Sequence, residues 1–364
     1  MDRLYALGVS CIEFLQDWFA DSENYFEWVN DLSNPHYVME YLFPFVSTLD
    51  SVFAAQLLLC MSFGGWLNSV MKWWLLEDRP YWWVRETSFY EGARRPQLRQ
   101  FRQTCETGPG SPSGHSTTVA MLLLLAIMWI SHIMNDRKCY IWWWKYIVYP
   151  VFACALGSVM LARMFVATHF PHQTLMGALV GSLLAPALCI YVCDPYVWGF
   201  GPHGRSDTRR AVAWHVFSAL VTVAISVVTY FSLTLCGWDP HWTVKLAFRW
   251  CENPEDIHVS TTPMYALVQA TASMLGWALA VTPAVAQFRH YTKNRSLILS
   301  GLAMYLLYCG TRHLQENIDK NSTLWFYSMQ FLLAAVRPFL YLRVVPTISM
   351  LPYPSVGTGK HKRE

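Results

Sequence analysis

The stretch Cys105–Thr118, CETGPGSPSGHSTT, decides how the chain reads. It crowds Gly, Pro, Ser and one His together, and an apolar run from Val119 to Ile130 follows at once. GPGSPSGH, residues 108–115, cannot be helix, but Ser113 is suited to cap the span that follows, and Gly114 lets a bound group approach the backbone closely. A helix N-terminus offers unpaired N–H groups and the positive end of a dipole to an anion, and His115 falls in the first turn beside it. The stretch reads as a phosphate holder at the mouth of an apolar helix. A Gly/Pro loop with an incidental His would look the same in isolation, so the reading depends on the rest of the chain.

That rest is built for lipid. Of 364 residues, 54% are hydrophobic and 14% charged, against roughly 25% charged in soluble domains. Apolar runs of spanning length recur along the chain, which excludes a soluble domain with a single anchor. The expected fold is all-α, a polytopic membrane helix bundle of about nine transmembrane helices near 36–49, 53–75, 115–134, 145–163, 173–193, 211–234, 263–287, 296–312 and 323–345. Residues 1–345 form one integral-membrane domain and 346–364 a tail. Many of the 18 Trp cluster at the ends of runs, as in MKWWLLEDRPYWWV and YIWWWKY, which suits the headgroup interface. The net charge of +3 is spread thinly, and no basic block suggests nucleic acid.

Loop charge sets an orientation. NDRK with Lys145, GRSDTRR and FRHYTKNR each carry three Lys or Arg, and the tail ends GKHKRE. These segments alternate with the other connections, so the positive-inside rule puts them, and the C-terminus, in the cytoplasm. An odd span count then places the N-terminus and the loop from Glu77 to Gly114 on the opposite side. That loop holds six Arg, against the rule, and their expected task is in part to draw an anionic substrate. The closing KHKRE has the form of a dilysine retrieval signal for the endoplasmic reticulum. The first 30 residues lack the pattern of a cleaved signal peptide, and the sequons at Asn294 and Asn321 are not expected to carry glycan. Ten Cys show no zinc-ligand spacing; Cys11, Cys105, Cys236 and Cys251 lie in polar segments and are available for disulfides in an oxidising lumen.

Two further segments share the chemistry of the first. In KWWLLEDRP, Lys72 and Arg79 stand seven residues apart, about 700° on a helix, and so share a face two turns apart, with Pro80 ending the element. In ARMFVATHFPHQT, Arg163 and His169 stand six apart, about 240° on a straight helix, so the chain must bend near Pro171 if both are to meet one small group. Snorkelling would explain the first pair, but ionisable groups at membrane depth usually mark function.

Taken together, Lys72-x6-Arg79-Pro80, Pro112-Ser113-Gly114-His115 and Arg163-x5-His169 resemble the three-part signature of the type 2 phosphatidate phosphatase and vanadium haloperoxidase superfamily. The family pattern has Ser before the second Arg and Asp four residues after the second His; here Ala162 and Gln173 stand there. CETGPGSPSGH and HFPHQ look like the glucose-6-phosphatase branch, which also has Gln at the last position. DRPYWWV and RWCENPEDIHV extend the likeness over nearly the whole chain, and the latter leans towards the beta form (subunit 3) of that branch.

The resemblance implies two-step hydrolysis of glucose 6-phosphate or a related sugar phosphate. Lys72, Arg79 and Arg163 bind the phosphoryl oxygens, with Ser113 and the backbone of Gly114 and His115 completing the cradle. His169 is the nucleophile and forms a phosphohistidine; His115 is the general acid and then base. Gln173 or a backbone carbonyl must fix the His169 tautomer, and His172 is the rival nucleophile. Three fixed cations stand where a metal would supply charge, so no metal and no cofactor is expected. The resemblance further implies an endoplasmic reticulum membrane enzyme with lumenal chemistry, coupled functionally to a glucose-6-phosphate transporter. A lipid phosphate phosphatase of the same superfamily is the nearest rival, and a transporter using Arg163 and His169 as an ion path is another. No glucose-specific motif is visible; Glu106 or Thr107 is available to touch the sugar by proximity in sequence only.

Overall fold

The computed structural model describes residues 1–139, 141–198, 208–282, 285 and 296–351, and every regular element among them is a helix. In chain order these are α1 Asp2–Trp18, α2 Glu23–Leu32, α3 Pro35–Tyr37, α4 Phe43–Leu49, α5 Ser51–Leu75, α6 Pro80–Glu86, α7 Gly114–Asp136, α8 Trp144–Phe165, α9 Pro171–Leu188, α10 Thr208–Leu235, α11 Trp242–Trp250, α12 Pro263–Ala280, α13 Leu297–Glu316, α14 Thr323–Phe339 and α15 Val345–Met350.

Six described helical segments are long and apolar enough to cross a membrane: Ser51–Glu86, Gly114–Asp136, Trp144–Phe165, Pro171–Asp194, Arg209–Leu235 and Thr323–Met350. They coincide with six of the nine expected spans. The other three are helical too: one is broken, and two are long enough but not apolar enough to count among the six. Residues 36–49 divide into α3, a π turn Val38–Leu42 and α4, which stop at Asp50 because its carboxylate accepts the first amides of α5, from Val52 at 2.9 Å and Phe53 at 3.0 Å. Helices α12 and α13 run 18 and 20 residues. The basic segment FRHYTKNR, most of GRSDTRR, the Asn294 sequon and the dilysine-like tail lie outside the described residues.

Helix α5 is the most enclosed of the six segments and forms the axis of the core. Its Phe53, Leu57, Leu58 and Met61 are buried in one cluster with Met121 and Leu125 of α7, Trp277 of α12 and Tyr341. Helices α7 and α9 approach closely because α9 carries Gly177 and Gly181: a Cβ on either would meet the backbone of α7 or its cap, Ser113 O at 2.4 Å and Thr117 O at 2.3 Å. This is small-residue packing, which works in lipid because contact, not water exclusion, drives helix association there. It sets the start of α7 against the start of α9. On the other side, α1 and α2 lean on the end of α8, with Phe26 stacked on Phe165 at 4.3 Å and Gln16 Nε2 donating to Phe165 O at 2.7 Å.

The tryptophan clusters divide. Trp142 and Trp143 are exposed, as interface residues would be, but Trp73, Trp82 and Trp83 are buried in protein. Tertiary packing around the loop after α5 claims them, with Trp73 Nε1 donating to Pro240 O and Trp83 edge-on to Tyr5 and Phe170.

Candidate active site

The groups singled out in sequence converge where the ends of α5 and α8 meet the starts of α7 and α9. Each arrives by a distinct local device. Lys72 lies in the last turn of α5, and its Nζ donates to Pro109 O at 2.9 Å. The helix does not continue to Arg79 as expected: Leu76 adopts a left-handed conformation, φ 49°, so α5 ends at Leu75. Pro80 begins α6 rather than closing α5, and Arg79 is the residue before it. Lys72 and Arg79 therefore meet through a reversal of the chain, not along one helix face. Arg79, 1% exposed, donates from Nε to Gly108 O at 2.6 Å and from Nη1 to Thr168 O at 3.2 Å.

A second reversal solves the angular problem of Arg163 and His169. Helix α8 ends at Phe165, Ala167 takes φ 54°, and the amides of Thr168 and His169 fold back on Arg163 O, each at 3.3 Å. The six-residue spacing is turned by a left-handed residue four positions ahead of the bend expected near Pro171, which instead opens α9. His169 is fully buried, its Nδ1 donates to Gly110 O at 2.7 Å, and its Nε2 has no hydrogen-bond partner among the described residues. A donating Nδ1 leaves the Nε2 lone pair bare. Burial first, then the nearby Arg79 and Arg163, hold this imidazole well below its ordinary range, so it is neutral.

Gln173 makes no hydrogen bond to His169 among the described residues. Its Oε1 accepts from Phe170 N at 3.1 Å, and its Nε2 donates to Glu77 Oε2 and Asp78 O, both at 2.9 Å. Of the two expected ways to fix the tautomer, the backbone carbonyl is the one found. His172 is taken up elsewhere: its Nε2 donates to Glu77 Oε2 at 2.9 Å and its ring stacks on Tyr5.

Ser113 caps α7 as expected, its hydroxyl oxygen facing the Ser116 amide at 3.5 Å. Its own N–H donates to Gln173 O at 3.1 Å. The Ser113 group is thus committed to the cap, while Gly114 and His115 line a cavity of about 390 Å³ together with Lys72, Arg79 and Glu106.

Glu106 is the residue whose position sequence reasoning missed. Its carboxylate accepts from Arg163 Nη2 at 2.6 Å and Arg79 Nη1 at 3.2 Å, and stands 3.8 Å from His115 Nδ1. Burial would raise this carboxyl, but Arg163, His115 and Arg79 outweigh it and hold it well below the usual range. It occupies a donor of each of the two buried arginines. Thr107 is buried with its hydroxyl 2.8 Å from that of Thr261 and does not line the cavity. Asn30 was also missed: its Oδ1 accepts from Arg163 Nη1 at 2.9 Å, and its Nδ2 donates to Phe26 O and Ala162 O. Nothing in sequence linked Asn30 to Arg163, 133 positions away. For Glu106 the signal was its place inside CETGPG.

The loop is pinned from behind. Cys105 is bonded to Cys251, one of the pairings the polar cysteines allowed, while Cys11 and Cys236 are free thiols. Of the six loop arginines, Arg79 lines the cavity, and four others make structural contacts. Arg85 lies over the Tyr81 ring at 3.7 Å, Arg95 donates to the carbonyls of Val84, Arg85 and Thr87, Arg99 donates to Gln16 O, and Arg102 pairs with Asp31.

The depressed His169 and Glu106 give the fold a pH dependence. Both bind fewer protons when folded than when unfolded, so their contribution is complete above the unfolded values and is lost as pH falls towards the folded ones. For His169 the loss begins near pH 6.5. The thermal midpoint of the detergent-solubilised protein is expected to fall as pH drops below about 6.5, and His169→Gln to flatten the first part of that fall; parallel curves would refute the assignment.

Buried Arg79 and Arg163 share the Glu106 carboxylate, with His115 3.8 Å from it, in a protein of membrane-spanning helices, and residues 53–195 match the PAP2 superfamily. Over nearly its whole length the chain is 30% identical to "Glucose-6-phosphatase 3" of Homo sapiens, covering 95% of each. It is 32% identical to "Glucose-6-phosphatase 3" of Rattus norvegicus, again over 95% of each, and 30% identical to "Glucose-6-phosphatase catalytic subunit 1" of Felis catus, over 97% of this chain and 95% of the relative. The chain belongs to the glucose-6-phosphatase family, and the beta-form reading fits these matches. No solved structure matches it.

Proposed function

We propose that the chain hydrolyses glucose 6-phosphate to glucose and inorganic phosphate through a phosphohistidine on His169. The observation that carries this reading is the bare, buried Nε2 of His169, set by the Gly110 carbonyl beside the arginines that hold Glu106. The substrate phosphate displaces the Glu106 carboxylate and takes the donors of Arg79 and Arg163, with Lys72 and the first-turn amides of α7 adding to the cradle. Arginine suits this task because its planar fork bonds two oxygens at once. Ser113 contributes through the cap that aims those amides.

His169 Nε2 attacks phosphorus as the ester oxygen leaves, and His115, which lines the cavity, protonates that oxygen. His115 then takes a proton from the water that attacks the phosphohistidine, and phosphate departs. Catalysis of this kind rests on fixed charge and positioning. No step needs a metal.

Loop charge supports a lumenal N-terminus, a cytoplasmic C-terminus and a lumenal site in the endoplasmic reticulum, and the Cys105–Cys251 bond fits an oxidising compartment. A phosphate dianion does not cross a bilayer unaided, so a lumenal enzyme requires coupling to a glucose-6-phosphate transporter. The reading is tested with membranes containing the chain, assayed on glucose 6-phosphate and on a lysophosphatidate. The sugar ester is expected to be preferred and vanadate to inhibit; preference for the lipid would overturn it in favour of a lipid phosphatase.

A further inference from the structure

The cavity does not end at the phosphate groups. Away from Lys72 and His115 it runs between α5, α12 and α14 to a wall that includes Glu40, Gln269, Gln315 and Arg337. None of these residues is used by phosphoryl transfer, and polar groups of this kind are costly inside a membrane bundle unless they serve a ligand or one another. They are only partly spent on one another. Arg337 donates from Nη2 to Thr311 O at 3.1 Å and to Gln315 Oε1, but its buried Nε has no partner among the described residues. Gln269 donates from Nε2 to Gln330 Oε1 at 2.9 Å, one of the several hydrogen bonds its amide can make. Glu40 accepts from His36 Nε2 at 2.7 Å and lies 3.8 Å from Arg312.

The charges on this wall narrow the ligand. Arg337 alone would favour a second anion, but the Glu40 carboxylate on the same wall opposes one. An acyl chain would desolvate every polar group and satisfy none. A neutral group rich in hydroxyls can donate to Glu40 and the amide oxygens while accepting from Arg337 and the amide N–H groups. A cavity of about 390 Å³ is within the range of small-molecule sites, roughly 300–1,000 Å³.

We propose that this far wall is the recognition subsite for the leaving group, built for a compact, uncharged, polyhydroxylated moiety, with Glu40, Gln269 and Arg337 as the residues that determine specificity. The proposal rests on the phosphomonoester hydrolysis argued above and adds how its alcohol is chosen.

The test compares kcat/KM for glucose 6-phosphate with kcat/KM for p-nitrophenyl phosphate, which has no hydroxyls to recognise, in the solubilised full chain and in Gln269→Leu and Glu40→Gln. The ratio of sugar to aryl ester is expected to fall about tenfold or more in each variant, mainly through KM. An unchanged ratio in both, whether the two activities persist or decline in parallel, overturns the subsite. A wild type active on the aryl ester but inert towards glucose 6-phosphate sinks the functional reading and the subsite with it. A wild type active on the sugar whose variants keep its ratio sinks the subsite alone.

Discussion

His169→Ala is expected to lower glucose 6-phosphate hydrolysis by about 10⁴-fold or more, because it removes the atom to which phosphorus bonds and a two-step route has no other entry. With a substrate labelled in its phosphate, rapid quenching at alkaline pH should leave label on the wild type and none on the variant. The side chain lies in a bend held by backbone hydrogen bonds to Arg163 O and gives its own hydrogen bond only to Gly110 O, so its loss need not unfold the protein. Gly110→Ala probes the same geometry from the other side. A Cβ there would meet Asp78 O at 2.4 Å and the Gln173 amide at 2.6 and 2.7 Å, so the loop must retreat and take its carbonyl from His169. Misplacement on the scale of 1 Å costs about 10²-fold. Wild-type turnover and labelling in His169→Ala would end the assignment of the nucleophile, leaving His172 to be examined.

Glu106→Gln has the second largest expected effect, and it acts mainly on the unliganded protein. The substitution leaves Arg79 and Arg163, both buried, without the carboxylate that neutralises them. Breaking one side of a buried pair costs about 3–5 kcal/mol, so the free variant is expected to melt well below the wild type. Phosphate or vanadate would restore the missing negative charge without having to displace a competing carboxylate. Its stabilising shift is therefore expected to be larger in the variant than in the wild type, with tighter product inhibition as the kinetic counterpart. Equal melting temperatures and equal anion-induced shifts would show that Glu106 neither holds the arginines nor occupies the phosphate position.

The two reversals show why part of the site was legible and part was not. Lys72, Arg79, His115, Arg163 and His169 stood out as candidates because phosphate chemistry demands those residue types and the motif spacings are short. Their three-dimensional approach was not, because helix periodicity extrapolates a straight element. Leu76 and Ala167 break the helices by taking left-handed φ values of 49° and 54°, conformations that neither residue type advertises. Asn30 and Glu106 were hidden for another reason. An amide on α2 and a carboxylate in a Gly/Pro loop carry no periodic signal, and what they do depends on contacts 133 and 57 positions away along the chain.

By itself the sequence determined a bundle of apolar helices, the residues proposed to handle phosphate and the helix start that presents His115, because hydrophobic run length, capping chemistry and charge are local properties. Only the tertiary structure decided which groups face one another. Gly177 and Gly181 let α9 lie against α7, Gly110 brings a carbonyl to His169, and Glu106 sits between two arginines. Such contacts join segments far apart in the chain, and their geometry exists only once the helices have packed.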